Sequence, residues 1–78
     1  AEDEYLIKRV AEILNDYINN LPRRKELIFI CRYYYADRIV NISKMLGISE
    51  KTVYRELEEI RQGLKNRLEK EGFPFEKQ

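Results

Sequence analysis

The sequence has no histidine and no tryptophan, a single cysteine, three glycines and two prolines. Without histidine there is no imidazole to act as a general base or zinc ligand, and a Ser-His-Asp set is excluded. The lone Cys31 can close neither an internal disulfide nor a paired-thiolate metal site. The scattered glycines build no phosphate-cradling loop. Glu56, Glu58 and Glu59 read as a solvated helix face rather than a cation site. Neither catalysis nor a metal or cofactor is therefore expected. No apolar run approaches the roughly 18 residues of a membrane span, nothing resembles a secretory signal, and no membrane contact is expected. Cys31, inside the apolar run LIFICRYYY, reads as a core residue in a reduced, cytoplasmic setting.

What is present is charge and helical periodicity. Seventy-eight residues suffice for one domain and one small core. The opening Ala1 and the acids after it suggest a piece of a longer protein. The net charge is only +1, but it is unevenly placed. Residues 1–20 hold two bases against five acids (net −3), residues 21–41 five against two (net +3), and residues 42–78 eight against seven (net +1).

The apolar pattern predicts four helices and no strand, an all-α domain. Leu6, Val10, Ile13, Leu14 and Tyr17 recur at helical spacing and define a lead-in helix over Asp3–Asn20, within the segment 1–20. Pro22 disfavours helix at Leu21 and is expected as the first residue of a second helix, Pro22 to Tyr35. That helix should bury Leu27, Ile30, Cys31 and Tyr34, and turn Arg23, Arg24, Lys25 and Arg32 outward. Tyr33, Tyr34 and Tyr35 are expected to wedge it against its neighbours rather than to form a base-stacking platform, which is usually built on a sheet. Asp37 is the expected N-cap of a third helix, Arg38–Leu46. A fourth runs from Glu50 to about Lys70, stopped by Gly72 and Pro74, and residues 71–78 form a tail that Phe73 or Phe75 pins.

Residues 38–70 contain the most informative pattern. A short periodic segment (Ile39, Ile42, Met45, Leu46) is followed by Gly47, suited to a left-handed helix end, then by Ile48 and by Ser49, a good N-cap. Small Ser43 allows a close helix crossing. Val53, Leu57, Ile60 and Leu64 then form a narrow apolar seam, while Lys51, Arg55, Glu58, Gln62 and Lys65 lie about 120–200° from Val53. This reads as a helix-turn-helix whose second helix offers its N-terminal end to the DNA major groove.

LPRRKELIFICRYYY, a two-residue gap, then RIVNISKMLGISEKTVYREL resembles the C-terminal fourth region of bacterial RNA polymerase sigma factors, most closely the extracytoplasmic-function type. The common form there is LP…R…FLLRYY, a short gap, then I-A-x-x-L-G-I-S-x-x-T-V-x-x-x-L, and the match covers Leu21 to Leu68. The resemblance implies a winged-helix-like domain without a wing, which reads the −35 promoter element and docks on the β flap of core RNA polymerase. It also implies that an anti-sigma factor is a possible partner. By position it implies base reading by Lys51, Thr52, Tyr54 and Arg55, and phosphate contacts from Arg32, Arg38, Ser49, Arg61 and Lys65.

Two positions depart from the family pattern. Ser43 stands where alanine is usual, and Glu56 where many members carry arginine. Glu56 either accepts from a cytosine amino group or pairs back with Lys51 or Arg55. Two other readings compete. A response-regulator effector domain shares the motif but pairs through its last helix, whereas a monomer is expected here. A protein-interaction module binding polymerase or an anti-sigma factor would not read DNA, and the net −1 over residues 50–62, three bases against four acids, favours it.

Overall fold

A computed structural model of the chain describes residues 2–73. Among them are helices α1 (Glu2–Asn19), α2 (Arg23–Phe29), α3 (Ile39–Leu46) and α4 (Glu50–Lys70), with no strand. α2 continues directly into one wide π turn, Ile30–Tyr34. The all-α architecture follows the apolar periodicity. Among the described residues no helix is long and apolar enough to cross a membrane.

α4 is the axis of the fold, about 31 Å long at 1.5 Å per residue, and the other three helices pack on it. Its seam supplies Val53, Leu57 and Ile60 to a core completed by Ile28 from α2 and by Ile39 and Ile42 from α3. Cys31 packs against this cluster; burial first, then the Asp37 carboxylate, pushes its thiol above the ordinary range, which favours the protonated form. α1 runs antiparallel to α4, since Tyr17 meets Ile60, Asp16 meets Arg67 and Arg9 meets Glu71. The Tyr17 hydroxyl donates to the Ile60 carbonyl at 2.9 Å. Gly63 makes that contact possible, because a Cβ there would lie 2.2 Å from the Tyr17 oxygen. α4 closes at Gly72 (φ 95°), with the Phe73 amide donating to the Leu68 carbonyl at 2.8 Å. Phe73 is thus tied down, whereas Pro74, Phe75 and the rest of the expected tail lie outside the described residues.

Several local expectations shift. Pro22 is the N-cap of α2, extended at ψ 147°, and not its first helical residue. The helix uses its carbonyl, which accepts from Glu26 at 3.0 Å. Tyr34 is 82% and Tyr35 72% exposed, instead of wedged between helices. The cause is the π turn: the Tyr35 amide reaches back five residues to Ile30, so side chains after Ile30 leave the register that a 3.6-residue period extrapolates. Along α2 and the π turn it is Ile28 that is fully buried, while Leu27, Ile30 and Cys31 are half-buried.

Asp37 does not cap α3. Arg38 holds that position in extended conformation with no side-chain cap. The Asp37 amide donates to Cys31 at 2.9 Å and its carbonyl accepts from Arg32 at 3.0 Å, so the residue belongs to the end of the π turn. Ala36 before it is left-handed (φ 54°), a conformation that costs a non-glycine residue on the order of 1 kcal/mol. Leu6, expected in the core, is 45% exposed beside exposed Tyr5 and Ile7. Arg9 already pairs with the end of α4, so the turn before it has no helix to pack on.

Candidate functional site

The corner between α3 and α4 is built from backbone outward. Gly47 is left-handed at φ 68°, and both its amide and that of Ile48 return to the Ser43 carbonyl. Ser43 also donates its hydroxyl to the Ile48 carbonyl, so it clamps both polar groups of that residue. An alanine cannot make that second bond, which gives the departure at Ser43 a physical reason. Ser49, extended at ψ 156°, accepts from the Thr52 amide at 3.0 Å and donates to Thr52 Oγ1 at 2.9 Å. Its hydroxyl is engaged in fixing the first turn of α4.

That turn presents Lys51, Tyr54 and Arg55 to solvent, with Thr52 half-buried beside them. Tyr54 is 59% exposed. Among the described residues Lys51 has no carboxylate within ion-pair distance, and the same is true of Arg32, Arg38 and Lys44. These four are all the bases between residues 32 and 51. Arg38 is exposed at the start of α3, and Arg32 is half-buried against the Asp37 carbonyl.

The remaining expected contacts are placed differently. Arg61 lies about 15 Å along α4 from Lys51 and is held by the Tyr33 hydroxyl at 2.8 Å and Glu58 at 3.2 Å. The Tyr33 hydrogen bond, outweighing some desolvation, raises its affinity for its proton further. Lys65 is half-buried, a further turn along. The structure therefore groups Ser49, Lys51, Thr52, Tyr54 and Arg55, and leaves Arg61 and Lys65 apart from them.

Glu56 is not on the outer face. It is 3% exposed and receives two hydrogen bonds from Arg24 of α2, one of them 3.2 Å from Nε to Oε1. Arg55 Nη2 stands 3.5 Å away, while Lys51, the other partner expected for it, does not reach it. A cytosine amino group has no access to a carboxylate so enclosed. Lys25 pairs with Glu59 at 2.9 Å, and Arg23 with Glu26 at 3.2 Å. Arg24 and Lys25 thus fasten α2 to α4 instead of standing free, while Arg23 pairs within its own helix. The signal was present in the sequence: at 100° per residue Glu56 falls only about 60° from Val53, on the border of the buried seam.

An apolar groove between α1 and the π turn is lined by Leu14, Ile18, Phe29, Ile30 and Tyr34. Among the described residues no group of acids and thiols could hold a metal ion. Compared with protein-family models, curated proteins and solved structures, the chain matches none.

Proposed function

We propose that the α3–turn–α4 unit is a helix-turn-helix of the sigma region 4 type, and that this chain reads the −35 promoter element in transcription initiation, in the cytoplasm, as the C-terminal domain of a sigma factor bound to core RNA polymerase. The observation that carries the reading is the exposed first turn of α4, held in place by Gly47, Ser43 and Ser49, with Lys51 exposed upon it. A helix with its side chains is about 10–12 Å across, and the major groove is about 12 Å wide. Lys51, Thr52, Tyr54 and Arg55 are the base-reading set in this account, with Arg32 and Arg38 near phosphates.

Net charge is +1 and, among the described residues, half the bases are engaged in internal ion pairs, so affinity of the chain alone for duplex is low and docking on the polymerase β flap supplies the remainder. The test is promoter-dependent transcription by the intact parent protein with polymerase, using Lys51→Ala and Arg55→Ala. A loss of about 1–3 kcal/mol, confined to particular promoter bases, is expected at a base-reading position. Wild-type transcription of every promoter variant by both mutants would remove the assignment.

A second reading is a protein-interaction module that binds polymerase or an anti-sigma factor without touching DNA. Exposed Tyr34 and Tyr35 beside the α1 groove favour it. Preserved partner binding with no DNA contact in the same assays would select it. A dimer in light scattering would favour the response-regulator reading, and a monomer the sigma one.

A further inference from the structure

The ion pairs around Arg55 form a chain of alternating sign that crosses from α2 to α4, in the order Arg24, Glu56, Arg55, Glu59, Lys25. Each acid has two cations, and the division is unequal. Glu56 takes two hydrogen bonds from Arg24 but stands 3.5 Å from Arg55. Glu59 is 2.9 Å from Lys25 and 4.0 Å from Arg55. The Lys25 hydrogen bond and charge hold the Glu59 carboxyl below its ordinary range, with Arg55 the smallest contributor. Both acids are therefore satisfied from α2, and Arg55 is the surplus cation of the network.

Withdrawing Arg24 would leave a buried carboxylate with one distant partner, a costly state. Arg55 is different: its side chain is 60% exposed and it can leave α4 with both acids still neutralised. We propose that Glu59, neutralised by Lys25, tunes the release of Arg55 to DNA, so that Lys25 and Glu59 are specificity-determining residues that need not touch the duplex. The inference rests on the DNA reading above. In the free chain Arg55 lies back along its own helix. A guanine edge that accepts two hydrogen bonds draws it away from Glu59 more effectively than a single screened phosphate, so the competition raises discrimination.

The experiment uses the intact parent protein bound to polymerase and a promoter duplex that the complex selects from a randomised pool, with binding followed by fluorescence anisotropy at low salt beside a scrambled duplex. Glu59→Gln is expected to tighten binding on the order of threefold, the scale of an exposed ion pair, and to narrow the gap between selected and scrambled duplexes. In an Arg55→Ala background that gain is expected to disappear. Lys25→Ala leaves Arg55 as the only cation for Glu59 and is expected to weaken binding more in the wild type than in the Glu59→Gln background. An equal gain from Glu59→Gln with and without Arg55 would mean that only general charge had changed, which overturns the proposal and leaves the DNA reading intact. If the wild type selects no sequence, and Arg55→Ala binds every duplex as the wild type does, the DNA reading itself fails.

Discussion

Two stretches of this chain carry similar numbers of bases and use them in opposite ways. From Arg55 to Arg67, the three arginines of α4 each have an acid within ion-pair distance, on α4 itself or on α1, and among the described residues Lys65 alone of the four bases has none. From Arg32 to Lys51, around the α3–α4 corner, none of the four bases has an acidic partner among the described residues. In the first stretch Arg67 fastens α4 to α1 and Arg61 is held along its own helix, with Arg55 the loosely held exception. In the second, Arg38, Lys44 and Lys51 stand in water with their charge available. Composition cannot separate the two, because a paired and an unpaired arginine count alike; only the fold assigns partners.

The contrast can be broken at several points. The largest effect is expected from the buried seam: Leu57→Ala, at a side chain 1% exposed, should cost about 3 kcal/mol in denaturant unfolding, whereas Lys51→Ala should change stability by less than about 0.5 kcal/mol. Comparable losses from the two would mean that the corner is part of the core. Next is Gly63→Ala, which helix propensity alone would favour by about 1 kcal/mol. Collision with Tyr17 and loss of its bond to Ile60 should reverse the sign, to a net loss of about 1 kcal/mol. Combining it with Tyr17→Phe should recover much of that loss, and strict additivity would show that the two do not meet.

Ser43→Ala sharpens the comparison on the corner side. Losing the hydroxyl bond to Ile48 should cost about 0.5–1.5 kcal/mol, and a neutral result would return Ser43 to the role of a merely small residue. The smallest effect concerns pH. Lys25 lowers the Glu59 carboxyl, so its contribution is present above the ordinary glutamate pKa of about 4.3 and is lost as pH falls through the lowered value. The stability difference between wild type and Lys25→Ala should therefore shrink on acidification through that range. A difference that stays constant with pH would separate Lys25 from Glu59.

These residues also show where a sequence is readable. Gly47, Ser49 and the seam Val53, Leu57 and Ile60 were legible because each is a local demand: a positive φ, a cap, a period. Helix number and near-terminal boundaries followed from the same signals. Tyr34 was not legible, because a π turn changes the period midway and nothing in the residue types announces it. Nor was Asp37, whose capping chemistry is real but whose backbone was already recruited by Cys31 and Arg32. Glu56 was misplaced because a charged residue on a half-apolar helix is assigned outward by default. Its partner lies 32 positions away in sequence, and a long-range pair of this kind leaves no periodic trace.

The most direct test of the account follows backbone amide shifts of the chain during titration with the selected duplex. The largest perturbations are expected on Lys51 to Arg55 and on Arg38, while Leu14, Ile18 and the α1 groove stay still. Perturbations concentrated on the groove and the π-turn tyrosines, with the first turn of α4 unmoved, would contradict it.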